Sequence, residues 1–448
     1  MPPRGHGRAV EDPAPTGPLR GAPALKPQDT RPPAERAILV GVGPKTQTAL
    51  IRSSLEELRR LADTAGALVV GETTQALARF NPATLIGEGK VGEISGMCAG
   101  LRAGAVIFDL ELAPGQQKNL EKALPKIKIV DRTRLILDIF AQRARTSEGR
   151  LQVELAQLSY MLPRLTGAWR EFSQQVGGIG TRGPGERKLE YERRHIQYRI
   201  KHLRAELERV RCARRLRRER RAGVPVPQVA LVGYTNVGKS TLLNRLAGKA
   251  ATYADDKLFA TLDPTARRVR LPEGGWAVAT DTVGFIQRLP TTLIAAFRST
   301  LEEVEAADCL VVLCDASSAE LEEQRASVDA TLAYLDTADI PRVEIFNKVD
   351  RLEPAARADL ERRHPDAVMI SAATGKGVDE ALKRVEGALS GRWLKREIDV
   401  PFAFASLERH FYESAQVLSR QARRGKTRWR LRVTAENWKR LQTILSEC

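Results

Sequence analysis

Between Val229 and Ala373 four short patterns recur in the order that nucleoside triphosphate chemistry needs. The first is Gly233-Tyr234-Thr235-Asn236-Val237-Gly238-Lys239-Ser240, which follows the apolar strand Val229–Val232 and runs into a helix opening Thr241-Leu242-Leu243. Glycines here let backbone N–H groups wrap phosphate oxygens at a helix N-terminus, where the dipole favours anions. In that reading Lys239 reaches the β- and γ-phosphates and the Ser240 hydroxyl ligates Mg²⁺. A chance glycine-rich turn is the alternative, and the strand–loop–helix context weighs against it.

The other three patterns narrow the chemistry. Phe259-Ala260-Thr261-Leu262-Asp263-Pro264-Thr265 lies where a mobile loop should carry a threonine that senses the γ-phosphate and Mg²⁺; Thr261 is the candidate and Thr265 the fallback. Asp281-Thr282-Val283-Gly284 ends an apolar strand, placing a carboxylate near the Mg²⁺ shell and the Gly284 N–H near the γ-phosphate. Asn347-Lys348-Val349-Asp350 ends another strand, with Asp350 suited to the guanine N1 and exocyclic amine and the Lys348 stem suited to stack on the base. Adenine lacks that donor pair, so the reading moves from ATP to GTP. Backbone N–H groups at Ser371-Ala372 should close the base pocket. The candidate catalytic groups are therefore Lys239, Thr261 and Gly284, and Ser240 and Thr261 are the metal ligands. Phe285 stands where familiar small GTPases carry a glutamine that orients water, so intrinsic hydrolysis should be slow or should need a partner.

These groups need a scaffold. The sequence predicts an α/β multidomain protein: a disordered Pro/Arg-rich tail (1–35), a parallel α/β domain (36–146), a basic antiparallel helical hairpin (147–222), a G domain with a mostly parallel sheet (226–392) and a small α/β domain (396–448). In the first α/β domain apolar runs at Ala37–Val42, Ala67–Val70, Ala105–Phe108 and Ile127–Val130 alternate with helical patterns. Leu151, Leu155, Leu158, Leu162 and Leu165, then Leu189, Ile196, Ile200, Leu203, Leu207 and Val210, form the two hairpin stripes. Gly177–Gly185 is placed in the loop between them. In the tail, alternation at Ile398–Phe404 reads as a strand, Leu407–Leu418 as a helix, Arg428–Val433 as a strand and Ala435–Leu445 as a final helix.

The net charge is +17, and residues 187–221 hold 15 Lys/Arg against 5 Asp/Glu, so this stretch alone carries ten of the surplus. A one-sign excess fits nucleic-acid contact better than a solvated face. No apolar run approaches bilayer length, and no secretory signal opens the chain. The five cysteines show no metal-ligand pairing, so a reducing compartment without structural zinc is expected. Gly87-Glu88-Gly89-Lys90-Val91-Gly92 matches a dinucleotide pattern, but only Leu85-Ile86 precede it; a turn opening a helix is the simpler reading.

Across residues 37–448 the chain resembles the HflX-type ribosome-associated GTPases. The resemblance rests on Ile86–Lys90, Glu111–Glu121, Val130–Thr133, Gly177–Glu186, Phe259–Thr265 and Asp281–Ile286. It implies a cytoplasmic GTPase that uses GTP and Mg²⁺, binds the large ribosomal subunit, is stimulated by it, and dissociates or rescues stalled ribosomes, especially in heat stress. It implies that Gly178, Thr181, Arg182 and Gly183 touch rRNA, and the charge reading adds Arg214, Arg215, Arg217 and Arg218. A monomer without membrane insertion is expected, with some of it at the ribosome or a membrane surface. The resemblance also keeps alive a rival: an ATP- or GTP-dependent RNA-remodelling enzyme with a second nucleotide site at Gly87–Gly92. A third reading is a GTP-dependent scaffold that barely hydrolyses.

Overall fold

The computed structural model describes residues 34–167, 184–221, 226–248, 258–259, 263–287, 298–335 and 337–446. The chain from Glu35 onward forms one compact unit. The expected disordered tail, up to residue 33, lies outside the described residues.

The first sheet has the order β2-β1-β3-β4, all parallel, with β1 Arg36–Pro44, β2 Leu68–Leu77, β3 Ala105–Phe108 and β4 Lys128–Asp131. Parallel pairing requires crossovers, and helices α1 (Thr48–Ala65), α2 (Glu88–Leu101) and α3 (Pro114–Ala123) supply them. Gly66, at φ 87°, ends α1 in the left-handed conformation that glycine adopts without a Cβ penalty. Asp131 caps α4 (Arg132–Arg143) by accepting the Arg134 N–H, and also accepts the Leu112 N–H, the Tyr160 hydroxyl and the Arg164 guanidinium. One buried carboxylate thus fastens sheet, helix and hairpin together.

The hairpin consists of α5 (Ser147–Gly167) and α6 (Pro184–Arg221). Leu155, Ile200, Leu203 and Leu207 form its seam, with Leu151, Leu158, Leu162 and Ile196 packed against them. Burying each such side chain contributes about 1.5–3 kcal/mol. A bidentate Arg199–Glu154 pair at 2.7 and 2.9 Å ties the helices at their rim. Pro184 and Gly185, expected in the connecting loop, instead open α6: proline at a first helical position forgoes only an N–H that has no intrahelical acceptor. The rest of that loop, including Gly178, Thr181, Arg182 and Gly183, lies outside the described residues. So do the side chains of Arg214, Arg215, Arg217 and Arg218, whose backbone is in α6.

The second sheet has the order β10-β9-β8-β5-β7-β6: β5 Gln228–Gly233, β6 Thr265–Arg270, β7 Trp276–Asp281, β8 Cys309–Asp315, β9 Arg342–Asn347 and β10 Val368–Met369. Only β6 runs antiparallel to its neighbour. Helices α7 (Lys239–Leu246), α8 (Arg298–Glu305), α9 (Leu321–Tyr334), α10 (Pro354–Arg363) and α11 (Val378–Leu389) accompany it. One apolar core runs from Leu39, Leu58 and Phe140 of the first α/β unit to Tyr234, Val237 and Phe259 of the second.

The third sheet, β11-β13-β12, is antiparallel: β11 Trp393–Pro401, β12 Gln416–Arg423 and β13 Lys426–Thr434. Two expectations are corrected here. Phe402 and Phe404 lie in a 3₁₀ segment after β11 rather than in the strand, and the helix expected to reach Leu418 stops at Ser414 (α12, Glu408–Ser414), leaving Leu418 inside β12. Helix α13 (Ala435–Ser446) closes the unit. A buried Arg432–Glu386 ion pair joins β13 to α11, and the Gln416 amide bonds the backbone N–H and C=O of Trp276.

Candidate functional site

Open parallel sheets present their carboxyl ends to ligands, and three of the four patterns meet there. β5 delivers Gly233 into the loop, Gly238 turns it at φ 94°, and Lys239 begins α7. Asn236 is also left-handed at φ 60°, so the loop carries two left-handed positions, 236 and 238, just before α7. Lys239 is buried, and its ammonium donates to the carbonyls of Tyr234 at 2.8 Å and Gly233 at 3.1 Å. Burial pushes that ammonium down to about 8, against the opposing pull of the Asp281 carboxylate.

The strand end at Asp281 meets the same loop. Ser240 Oγ lies 2.6 Å from Asp281 Oδ2. Thr282 donates to the Leu231 carbonyl, fixing the turn. Phe285 N–H bonds Gly233 O at 3.0 Å and Thr235 N–H bonds Phe285 O at 2.8 Å, zipping the segment after Gly284 onto the loop. The Phe285 ring is buried in the second core with Leu301, Val304 and Leu332, so it packs rather than facing a reacting group.

The base side is equally preassembled. Asn347 donates to Val237 O at 2.7 Å and accepts the Ala372 N–H at 2.8 Å, joining phosphate loop, β9 and the Ser371-Ala372 turn. Lys348 is held at φ 65°, with its ammonium 2.7 Å from Asp315 at the end of β8. Arg245 of α7 donates to the carbonyls of Ala372 and Ala373 and braces that turn. Asp350 falls in the short 3₁₀ turn Val349–Arg351 just beyond. Gly233, Tyr234, Thr235, Asn236, Val237, Gly238, Lys239, Ser240, Asp281, Gly284, Asn347, Ser371 and Ala372 therefore converge. Thr241 follows Ser240 in α7, Lys348 and Asp350 follow Asn347 in the chain, and Thr261 lies outside the described residues.

Several residues beside this site make contacts that sequence spacing does not show. Asp263, within the Phe259–Thr265 segment, accepts the backbone N–H groups of Arg145 and Thr146 at 2.9 and 3.0 Å and the Thr146 hydroxyl at 2.5 Å, just before α5. Phe259 packs edge-on against Phe140 of α4, ring centroids 4.6 Å apart. Arg132 pairs with both Glu57 and Asp109 at 2.7 Å, buried beside Tyr234. Asp315, the partner of Lys348, lies in none of the four patterns. Membership of the Val130–Thr133 and Phe259–Thr265 stretches was the available signal for Arg132 and Asp263.

The Gly87–Gly92 segment is a turn opening a helix, α2. Gly87 caps α2 with its N–H taken by the Gln75 side chain, and Lys90 is engaged by Glu93 at 2.7 Å and Thr73 at 3.1 Å. Among the described residues no three His, Cys, Asp or Glu side chains gather as a metal site, and no helix is long and apolar enough to cross a membrane.

Comparison with known proteins covers nearly the whole described chain. Family models match in sequence: GTP-binding GTPase N-terminal (residues 52–141), GTP-binding GTPase Middle Region (143–221), 50S ribosome-binding GTPase (228–348) and HflX C-terminal domain (357–447). The chain is 49% identical over 355 residues to a GTPase HflX of Caldanaerobacter subterraneus, covering 79% of this chain and 81% of that one. It is 41% identical over 392 residues to GTPase HflX of Escherichia coli, covering 86% and 91%. A solved GTP-binding protein from Sulfolobus solfataricus, in complex with GDP, is similar at 22% identity and a TM-score of 0.41, covering 80% of this chain and 99% of that one.

Proposed function

The chain belongs to the HflX family of GTPases, and from that premise we propose that its GTP hydrolysis drives a switch on the large ribosomal subunit that dissociates or rescues stalled ribosomes. GTP binding and hydrolysis follow from the family; the partner, the ribosomal outcome and the residue roles are this proposal. Lys239 reaches the β- and γ-phosphates, Gly284 offers its N–H to the γ-phosphate, and Asp350 and Lys348 select guanine. Ser240 and Asp281 are oxygen donors of the kind a hard divalent cation takes, so Mg²⁺ fits this corner by chemistry, with Ser240 and Thr261 as its ligands. Bound there, Mg²⁺ would neutralise charge on the β- and γ-phosphate oxygens.

The observation that carries the ribosomal reading is the Asp263 contact. The segment expected to sense the γ-phosphate contains a carboxylate, Asp263, that accepts the Arg145 and Thr146 backbone N–H groups just before the hairpin's first helix, and residues 187–221 of its second helix hold ten of the chain's surplus positive charges. A change at the phosphate end therefore has a covalent and hydrogen-bonded route to the surface suited to rRNA phosphates. Gly178, Thr181, Arg182 and Gly183, with Arg214, Arg215, Arg217 and Arg218, form the proposed contact. The protein works as a cytoplasmic monomer in this account.

Co-sedimentation with large ribosomal subunits, in a salt series and with a non-hydrolysable GTP analogue, tests it. Replacing the four arginines 214, 215, 217 and 218 by alanine should weaken binding and reduce the salt slope by roughly one unit per lost phosphate contact. Unchanged affinity and slope would make α6 a solvated face and remove the partner assignment.

A further inference from the structure

Charged side chains are almost never fully buried unless paired, so a buried triad between two folding units needs a reason. Glu57 of α1, Asp109 after β3 and Arg132 at the start of α4 are buried together. Arg132 Nη1 donates to Asp109 at 2.7 Å, and Nη2 donates to Glu57 Oε1 at 2.7 Å and also to the Gln287 backbone carbonyl at 3.2 Å. The second Glu57 oxygen accepts the Tyr234 hydroxyl at 2.5 Å, and that hydroxyl accepts the Gln287 N–H at 2.7 Å.

Both polar groups of the Gln287 backbone are thus held by one cluster anchored in the first α/β unit. Tyr234 is the second residue of the phosphate loop, and its own carbonyl accepts the Lys239 ammonium. Gln287 is three residues after Gly284, and the intervening Phe285 is zipped to Gly233 and Thr235. Residues 285–287 are thus fixed to the loop by its backbone and by the Tyr234–Glu57–Arg132 cluster, and Ile286 O also accepts the Ser327 hydroxyl at 3.4 Å. Burial raises the Glu57 carboxyl while Arg132 and the Tyr234 hydroxyl pull it down, which fits a carboxylate retained for its contacts rather than for solvation. Arg132 suits the position because its planar fork serves Asp109, Glu57 and a carbonyl at once, which a lysine point charge cannot.

We propose that Glu57 and Arg132, acting through the Tyr234 hydroxyl, are positioning residues for GTP hydrolysis that hold the backbone following Gly284 in register with the phosphate loop. This rests on the assignment of Gly284 to the γ-phosphate. A misplacement of about 1 Å in a reacting geometry can cost roughly a hundredfold in rate. The ground-state grip on GDP depends instead on the loop amides and the base turn, so affinity and rate should separate.

The test is single-turnover GTP hydrolysis beside fluorescent-GDP affinity for Tyr234→Phe, Glu57→Gln, the double variant and Gly284→Ala. Tyr234→Phe removes one oxygen and keeps the ring packing, so it stands even where Glu57→Gln lowers stability. The expected result is a hydrolysis constant down by roughly tenfold or more in each single variant, with GDP affinity within about threefold. The double variant should be no slower than the slower single one, since both act through one link. Unchanged or faster hydrolysis in Tyr234→Phe, while Gly284→Ala is slowed, overturns the positioning role and leaves the Gly284 reading intact. Normal hydrolysis in Gly284→Ala overturns both. Additive losses in the double variant, or a fall in GDP affinity matching the fall in rate, would mark a structural defect and also overturn the proposal.

Discussion

Replacing Gly284 by alanine asks how closely the segment after Asp281 must approach the phosphate loop. A Cβ on Gly284 would stand 2.8 Å from Thr235 Cγ2, 2.9 Å from Thr235 Cα and 3.0 Å from the Lys239 ammonium. Carbon atoms pack best at roughly 3.5–4.0 Å, so the methyl needs most of an ångström that one flexible and two anchored neighbours must supply. The Thr235 backbone cannot simply retreat, because its N–H is bonded to Phe285 O while Phe285 N–H is bonded to Gly233 O. Overpacking of this kind costs about 1–3 kcal/mol. If the hydrolytic state requires the apposition and the GDP state tolerates a displaced Gly284, that cost falls on the rate alone, slowing it roughly five- to 150-fold. Rapid-mix hydrolysis of GTP, with fluorescent-GDP titration as the control, reads both quantities. A rate within about twofold of the parent protein would refute the reasoning, because the clash would then have been relieved at no kinetic cost.

Asp350→Asn should lower guanine nucleotide affinity by roughly a hundredfold or more and raise that for xanthine nucleotides, measured by competitive titration; unchanged GTP affinity would remove Asp350 from the base pocket. Glu386→Ala should destabilise the fold by about 3–5 kcal/mol in urea unfolding, since Arg432 would be left buried without its carboxylate; a loss below about 1 kcal/mol would contradict that. Burial pushes the Cys309 and Cys314 thiols up to about 12, so near pH 8 a thiol reagent should label exposed Cys212 and reach those two only on unfolding; peptide mapping that finds equal labelling rates would contradict their placement in β8.

The parts legible in the sequence are those whose signal is local. The phosphate loop is contiguous, and β5 and α7 flank it as the motif requires. The strands of the first sheet read clearly because Ala37–Val42 and Ala105–Phe108 are buried on both faces and so are continuous apolar runs. The C-terminal unit was harder. Leu418 continues the helical spacing of Leu407 and Phe411, but Ala415 turns extended, and β12 is half-exposed with Arg420, Gln421 and Arg423 where an apolar alternation would have marked it. The buried charges were illegible for a different reason. Glu57, Asp109, Arg132 and Tyr234 come from separate helices, turns and loops as far as 177 residues apart, so nothing about their spacing in the chain marks them as partners. Asp263 shows the same gap: it reads as part of a loop motif, while its partners are the Arg145 and Thr146 amides just before α5.

We propose that GTP turnover by this protein answers to the ribosome. GTP turnover by the purified protein, alone and with purified large ribosomal subunits over a salt series, tests it most directly. Turnover alone should be slow, with Phe285 in place of a water-orienting glutamine, and the subunits should stimulate it strongly, with the effect fading as salt rises. Turnover that large subunits leave unchanged at low salt would contradict it, and would leave a GTP site whose activating partner lies elsewhere.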